Sequence, residues 1–207
     1  MIWHDKLWKK LKLDGGAVIY LAGDSYPASD KEEESIGRYF AAALGLRFIS
    51  HNDLLIYIDS APESYRGGIQ VDKRAAGLKA AISSLSGPVL LVGRSSGARV
   101  ASLCADERNV AAVVCFAYPF KHPHKAEEEI RYRHLESLFT PTLVIQGIRD
   151  EYGGLVQMKK YKFSQAVRFF YVKAGHGMNL KGKTLDLVRM RIGRLIFEAL
   201  SRDDAQR

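Results

Sequence analysis

Pro88-Val-Leu-Leu-Val-Gly-Arg-Ser-Ser-Gly-Ala-Arg99 is an apolar run that stops at Gly93 and continues into a helical pattern. The run predicts a buried β-strand, and the residues after it predict an α-helix. A strand that turns at once into a helix forces the residue at the turn, Ser95, into a strained backbone conformation, and glycine at positions 93 and 97 leaves room for the neighbouring backbone. The Gly-x-Ser-x-Gly pattern predicts a nucleophile elbow, which presents a serine hydroxyl at the positive end of the helix. The alternative is a glycine-rich turn without chemical function.

The composition predicts one domain. The chain has 207 residues, of which 47% are hydrophobic, and this suffices for one buried core but is short for two. We expect a single domain over 1–207, in which residues 1–14 form a basic amphipathic segment. The net charge of +8 favours acidic partners, but the basic residues are scattered and locally balanced, and no nucleic-acid-binding motif is present. We therefore expect solubility or attraction of an anionic substrate rather than nucleic-acid binding.

The N-terminal segment alternates apolar residues with lysines, so it lacks the continuous core of a signal peptide. No stretch of the chain reaches the length of a membrane span. Trp3, Leu7 and Leu11 share one helical face, as in segments that lie on an anionic membrane surface or dock on protein. Docking on the same domain or on a second subunit is the favoured interpretation, which would allow a homodimer.

Two cysteines indicate the redox environment. Cys104 lies on the helix after the elbow, and Cys115 lies inside an apolar run. Both are predicted to be buried thiols. We expect no disulfide and a reducing, cytoplasmic location.

Strand and helix patterns alternate along the chain. Continuous apolar runs predict strands at 17–22, 46–50, 88–92, 111–117, 142–146 and 167–172. Helical spacing predicts helices from a Ser29/Glu32 capping box to Gly45, over 71–85, after the elbow serine, from 155 to about 161, and from 184 onwards. The run 54–59 is either a strand or the start of a helix. This order predicts an α/β fold: a doubly wound, mostly parallel sheet with helices on both faces and no large cap domain.

A serine nucleophile needs a base and an acid, which we expect on later loops at strand ends. Asp150 follows the strand predicted at 142–146, and His176 follows the strand predicted at 167–172, between two glycines. Because parallel strands end at the same edge of a sheet, we expect these side chains to meet Ser95 there. In such a triad Ser95 attacks a carbonyl, His176 takes and returns the proton, and Asp150 fixes the histidine tautomer.

Several segments together carry a family resemblance. They are Gly93-Arg-Ser-Ser-Gly-Ala-Arg-Val-Ala101, Tyr118-Pro-Phe-Lys-His-Pro123, His134-Leu135 with Pro141-Thr-Leu-Val-Ile-Gln-Gly-Ile-Arg-Asp150, and Gly175-His176. The sequence resembles the α/β-hydrolase superfamily, in particular the small dienelactone-hydrolase-like branch that includes the third subunit of the nonspecific-lethal chromatin complex and its testis-expressed relatives. The resemblance covers about 88–179. It implies the hydrolase core, the triad as assigned and a substrate-side loop from Tyr118, but no particular substrate.

The end of the first strand departs from this family. Relatives usually carry a His-Gly-x-Gly-like turn there, whose backbone N–H joins that of the residue after the nucleophile in an oxyanion hole. Here the turn reads Ala22-Gly-Asp-Ser25, so the expected donors are the backbone N–H groups of Ser96 and Asp24. A carboxylate near a developing oxyanion repels it unless it is turned away or paired.

The same turn allows a rival assignment. Esterases of the GDSL type place their nucleophile in a Gly-Asp-Ser tripeptide after the first strand, which would make Ser25 the nucleophile. They also need an aspartate three residues before the histidine. Lys173 stands at that position, which disfavours this assignment.

Three further residues are candidates for substrate binding. Tyr118 begins the substrate-side loop, His122 lies within it, and Arg99, one turn into the elbow helix, suits an acidic substrate group or a structural ion pair. His122 with His124 and His134 is an alternative metal site, but no Cys or carboxylate ligand spacing accompanies them, so no metal is expected.

The sequence thus supports two classes of function. The first is a serine hydrolase that cleaves a small ester, thioester or related acyl substrate without metal or organic cofactor. The second is a binding or scaffold protein of the same fold in which the triad is weak or inactive, because the turn at Asp24 is unusual.

Overall fold

The computed structural model describes residues 13–25, 31–58 and 70–205. Its strands are β1 Ala17–Leu21, β2 Arg47–Ile49, β3 Val89–Arg94, β4 Val110–Phe116, β5 Thr142–Gly147 and β6 Val167–Val172. They form one six-stranded sheet in the order β2-β1-β3-β4-β5-β6. Every neighbouring pair is parallel, which confirms the predicted fold class.

The helices cover both faces of the sheet. They are α1 Lys31–Leu44, α2 His51–Leu55, α3 Val71–Ser83, α4 Ser96–Leu103, α5 Leu155–Met158 and α6 Gly182–Ala205. One hydrophobic core joins α1 and α6 to the sheet through side chains such as Phe40 and Ile192. The other core joins α2, α3 and α4 to the opposite face through side chains such as Leu54 and Leu78.

Burial on both faces explains the unbroken apolar runs of the strands. Along β1, Val18 and Tyr20 belong to one core, whereas Ile19 and Leu21 belong to the other. All five residues of β1 are buried. Successive side chains of a strand point to opposite faces, so a strand covered on both faces must be apolar at every position.

The structure decides one assignment that the sequence left open and corrects the length of one predicted helix. The run 54–59 is helical where it is described: α2 starts at a capping box formed by Ser50 and Asp53 and continues into a 3-10 turn at Ile56–Ile58. The helix expected from 155 to about 161 is only the single turn of α5. It ends early because the rings of Tyr161 and Phe163 pack against Phe120, at centroid distances of 5.8 and 5.9 Å.

The connection from Tyr118 to Thr140 is irregular, with two 3-10 turns at Glu129–Arg131 and Arg133–Glu136. Cys104 and Cys115 are both buried and unpaired. Burial raises the pKa of the Cys104 thiol to about 12. No helix among the described residues has the length and apolar character needed to cross a membrane. The N-terminal segment over 1–12 and the Ser29 capping residue lie outside the described residues.

Candidate active site

Ser95 occupies a strained turn between β3 and α4. Its backbone has φ 51° and ψ −121°, a region that side chains other than glycine rarely adopt. The turn is possible because α4 approaches the end of β1 very closely. A Cβ atom at Gly97 would lie 2.2 Å from the carbonyl oxygen of Leu21 and 2.5 Å from that of Ala22. A Cβ at Gly93 would lie 2.5 Å from the carbonyl oxygen of Gly97. The backbone therefore requires both glycines of the motif, as the elbow pattern predicts.

His176 and Asp150 stand next to Ser95 at the carboxyl edge of the sheet. Ser95 Oγ lies 3.0 Å from His176 Nε2, and His176 Nδ1 lies 3.1 Å from each carboxylate oxygen of Asp150. The loops after β5 and β6 meet because Gly147 has no side chain: a Cβ there would lie 2.6 Å from the carbonyl oxygen of Ala174. The structure thus brings the three predicted side chains into one hydrogen-bonded row.

The order of these contacts assigns the protons. The Asp150 side chain is fully buried, and the His176 side chain is 17% exposed. A buried carboxylate is an acceptor, so His176 Nδ1 donates to it. The proton on Nδ1 leaves Nε2 as the acceptor for the Ser95 hydroxyl in the neutral imidazole. This is the tautomer that a general base beside a serine requires.

Gln146 holds Asp150 in place, and sequence reasoning missed it. Its Nε2 lies 2.9 Å from Asp150 Oδ2 and 3.0 Å from the carbonyl oxygen of Gly153, and its Oε1 accepts from the backbone N–H of Tyr118 at 2.8 Å. The backbone N–H of Tyr152 donates to the other carboxylate oxygen at 2.9 Å. A polar amide at the end of an otherwise apolar strand was the available signal, since buried polar groups are kept where they are hydrogen-bonded.

Arg94 holds the backbone of the histidine loop, and it too was missed. Its Nη2 donates to the carbonyl oxygen of His176 at 3.3 Å. Its Nε lies 3.7 Å from a carboxylate oxygen of Glu33 on α1, and both side chains are buried. On the open side, the ring of Tyr152 lies over the ring of His176 with a centroid distance of 4.3 Å. Arg94 therefore holds the backbone of His176, and the ring of Tyr152 covers one face of its imidazole.

The turn after β1 lies beside the serine. A Cβ at Gly23 would lie 3.2 Å from Ser95 Cβ. Neither Asp24 nor Ser96 donates its backbone N–H to another described residue, and Ser96 is the first residue of α4. The Asp24 carboxylate is exposed and paired: Oδ1 accepts from Ser96 Oγ at 2.6 Å and lies 3.5 Å from Arg74 Nη1. The repulsion expected from an unpaired carboxylate is thereby reduced.

The three candidates for substrate binding lie in different settings. Tyr118 is buried, and its hydroxyl donates to the carbonyl oxygen of Arg131 at 2.7 Å. This burial raises its pKa. His122 is partly exposed, with its ring 6.1 Å from that of Tyr152. Arg99 is partly exposed, and its buried Nε has no hydrogen-bond partner among the described residues. Of the three, Tyr118 is engaged within the protein, whereas His122 and Arg99 retain exposed surface.

Of the histidines considered as alternative metal ligands, His122 and His124 have ring centroids 6.1 Å apart, whereas His134 is bonded to another element. His134 Nε2 shares a hydrogen bond with Ser102 Oγ at 2.8 Å. Burial, reinforced by the charge of Arg99, lowers the pKa of His134 to about 4. In the described part of the chain, no three His, Cys, Asp or Glu side chains are grouped so as to hold a metal ion.

The class of α/β-hydrolase-fold proteins is defined by a parallel sheet whose loops carry a serine, an acid and a histidine in this order. Here the serine stands in a strained turn after β3, the acid follows β5 and the histidine follows β6. Residues 69–187 match the family model described as alpha/beta hydrolase domain. The match spans more than half of the chain, so the chain belongs to that family. The narrower dienelactone-hydrolase-like assignment stays a prediction.

Solved structures share the fold at low sequence identity. An esterase of Pyrococcus furiosus has 16% identity and a TM-score of 0.63, with 90% of this chain and 84% of that chain covered. A hydrolase of the alpha/beta superfamily from Xanthomonas campestris has 18% identity and a TM-score of 0.60, with 91% and 99% covered. Alpha/beta hydrolase domain-containing protein 10 from mouse has 16% identity and a TM-score of 0.60, with 88% and 90% covered. No curated protein gives a significant sequence match.

Proposed function

We propose that the protein is a serine hydrolase that cleaves a small ester, thioester or related acyl substrate. The observation that carries the proposal is the unbroken row from Ser95 Oγ through the His176 ring to the buried Asp150 carboxylate, with contacts of 3.0 and 3.1 Å. The nucleophile lies within hydrogen-bonding distance of the base, and the base lies within hydrogen-bonding distance of the orienting acid. That geometry is the requirement for activating a serine hydroxyl at neutral pH.

In the first half of the reaction, Ser95 Oγ attacks the acyl carbonyl carbon while His176 Nε2 takes the hydroxyl proton. The carbonyl oxygen becomes an oxyanion that accepts hydrogen bonds from the backbone N–H groups of Ser96 and Asp24. The bond to the leaving group then breaks. His176 gives its proton to the departing alcohol or thiol, which leaves the acyl group bound to Ser95.

In the second half, water attacks the acyl group. His176 Nε2 takes a proton from the water, the oxyanion forms again at the same amides, and its collapse releases the acid. His176 returns the proton to Ser95 Oγ, so the enzyme regains its starting state. Asp150 stabilises the imidazolium in both halves, and Gln146 keeps that carboxylate oriented through the 2.9 Å hydrogen bond.

Arg99 and His122 are the proposed substrate-binding side chains, because they retain exposed surface, whereas Tyr118 is buried. Arg99 follows Ser95 by one helical turn, with its backbone N–H bonded to the Ser95 carbonyl oxygen at 3.2 Å. Its charge acts on His134 and Tyr118, so the guanidinium lies close to the connection that begins at Tyr118. An acidic group on the substrate would supply the partner that its Nε lacks among the described residues.

The alternative function is that of a binding or scaffold protein with a weak or inactive triad. The unusual Ala22–Ser25 turn is the observation that favours it. The contacts of Asp24 with Ser96 and Arg74 weigh against it, because they hold the carboxylate by other groups. Enzyme activity is therefore the better-supported function.

The hydrolase proposal is tested with a panel of p-nitrophenyl esters of increasing acyl length. We expect hydrolysis by the wild-type protein and a loss of about 10⁴-fold or more in kcat for Ser95→Ala. The matched control is Ser83→Ala, an exposed serine on α3, which should retain wild-type rates. Equal turnover by wild type and Ser95→Ala on every ester would rule out the proposed role of Ser95.

A further inference from the structure

A buried arginine connects the two halves of the proposed oxyanion hole. Arg74 on α3 is only 1% exposed. Its Nη2 donates to the carbonyl oxygen of Ala22 at 2.6 Å, and its Nη1 donates to Ser96 Oγ at 2.9 Å. One guanidinium thus binds the turn that carries Asp24 and the residue that follows the nucleophile.

The same guanidinium is the counterion of Asp24. Arg74 Nη1 lies 3.5 Å from Asp24 Oδ1, and that oxygen also accepts from Ser96 Oγ at 2.6 Å. A negative charge fixed beside a developing oxyanion would raise the energy of the tetrahedral intermediate. A buried positive charge at this position offsets it, and water screens a buried charge less than an exposed one.

The backbone of Ala22 is held at its N–H group as well as at its carbonyl group. The backbone N–H of Ala22 donates to His51 Nδ1 at 3.3 Å, so this nitrogen carries no proton. His51 and Arg74 therefore fix the N–H and the carbonyl group of one residue. Gly23 and Asp24 follow immediately, so their orientation depends on this clamp.

We propose that Arg74 is a positioning residue of the active site, which orients the Ala22–Asp24 turn and neutralises the Asp24 carboxylate beside the oxyanion. The inference rests on the proposed hydrolase function and names the group that makes the unusual turn compatible with it. Arg74 does not contact the reacting atoms. It acts through the backbone of Ala22, the hydroxyl of Ser96 and the charge of Asp24.

The test is a double-mutant cycle between Arg74→Gln and Asp24→Asn, read out as the rate constant of labelling by a fluorophosphonate and as kcat and KM on the best ester. Arg74→Gln should lower kcat and the labelling rate by about 100-fold, with little change in KM, because the lost interactions act on the transition state. In the Arg74→Gln background, Asp24→Asn should raise kcat and the labelling rate again by about tenfold, because it removes the negative charge that Arg74 no longer offsets. The gain from Asp24→Asn in the wild-type background should be much smaller.

The matched control is Lys73→Gln, which removes one positive charge from an exposed position next to Arg74 on the same helix. It should leave kcat and the labelling rate unchanged. A general loss of positive charge or of helix stability would not make the effect of Asp24→Asn depend on Arg74. Rescue by Asp24→Asn therefore separates a positioning role from a purely structural one.

Two outcomes would overturn the inference: an effect of Asp24→Asn that is the same in both backgrounds, or wild-type kcat in Arg74→Gln. If Arg74→Gln loses its cooperative thermal unfolding transition, Arg74→Lys decides. It keeps the charge but not the planar fork, so we expect a loss of about tenfold in kcat at unchanged KM; wild-type kcat in this variant would also overturn the inference. Failure of the hydrolase function itself would look different, because the wild-type protein would then show neither labelling nor turnover at Ser95.

Discussion

At the scale of single residues, the proposed chemistry depends on side chains outside the row of Ser95, His176 and Asp150. Gln146 is fully buried and divides its hydrogen bonds between the Asp150 carboxylate and three backbone groups. Removing it takes one donor from the carboxylate, which keeps His176 and the backbone N–H of Tyr152, and leaves the backbone N–H of Tyr118 without its acceptor. An unsatisfied buried polar group costs about 1–3 kcal/mol. The orientation of Asp150 and the stability of the fold are therefore coupled through one amide.

Replacement of Gln146 by leucine should lower both kcat and stability. We expect kcat to fall by about tenfold or more, because the carboxylate loses a fixed donor. The free energy of unfolding should fall by about 2 kcal/mol or more. Ester turnover and urea denaturation measure the two effects. Gln165→Leu, at an exposed position, is the control, and a Gln146→Leu protein with wild-type values of both would show that the amide is dispensable.

Arg99 should determine the preference for charged substrates. Comparison of a neutral p-nitrophenyl ester with one of similar length that ends in a carboxylate isolates the charge. The wild-type protein should favour the anionic ester, and Arg99→Gln should reduce that preference by about tenfold while sparing the neutral ester. Arg108→Gln, beyond the end of α4, serves as the charge control. An unchanged ratio in Arg99→Gln would remove Arg99 from the substrate site.

At the scale of elements, the site depends on how closely α4 approaches the end of β1. Gly97 allows this approach, since a Cβ there would overlap two carbonyl oxygens.

Gly97→Ala should push α4 away from the turn that carries Asp24. We expect the free energy of unfolding to fall by about 1–3 kcal/mol and the activation free energy of turnover to rise by more than that. Thermal unfolding and kcat are the measurements. Gly177→Ala, where a Cβ meets nothing within 4 Å, is the control for the loss of a loop glycine; equal effects of the two substitutions would contradict this explanation.

Sequence patterns predicted the helices, the strands and the strand ends well, because these features depend mainly on residues that are close together in the chain. The run 167–172 has the predicted bounds of β6, and the elbow glycines mark a backbone that tolerates no side chain. The helix expected after 154 is too long by about a turn, because its end is decided by the distant ring of Phe120. The supporting contacts of the site were missed for the same reason. Arg74 contacts Ala22 across 52 positions of sequence, and no local pattern records such a pairing.

At the scale of the whole molecule, a buried histidine, His51, and a partly buried one, His134, couple folding to pH. Burial, and to a smaller extent the charge of Arg74, lowers the pKa of His51 to about 3. Burial, followed by the charge of Arg99, lowers the pKa of His134 to about 4. In the unfolded chain both titrate near pH 6.5. The unfolded state thus binds more protons between these values, so stability is present above pH 6.5 and is lost as the pH falls towards 4 and 3.

Stability should therefore fall on acidification from pH 7 to pH 5, with about 2 kcal/mol contributed by each histidine. Urea denaturation at the two pH values measures the fall. His51→Gln and His134→Gln should each make the pH dependence shallower by about that amount, whereas His124→Gln, an exposed histidine, should not. A pH dependence that is the same in all four proteins would show that neither His51 nor His134 is held neutral by the fold.

The positive net charge of +8 also acts at this scale, since it attracts anionic substrates before any specific contact is made. This attraction is screened by salt, whereas the alignment of Ser95, His176 and Asp150 depends on short-range hydrogen bonds. The identity of the substrate and the chemistry at the serine are therefore separable.

The most direct measurement is labelling of the protein by a fluorophosphonate, followed by peptide mass spectrometry to locate the modified residue. Phosphonylation requires an activated serine but not the natural substrate, so it tests the row of Ser95, His176 and Asp150 alone. We predict a single adduct on Ser95, with labelling abolished in Ser95→Ala and slowed by about 100-fold or more in His176→Ala. Labelling that survives Ser95→Ala unchanged, or an adduct on Ser25, would contradict the account.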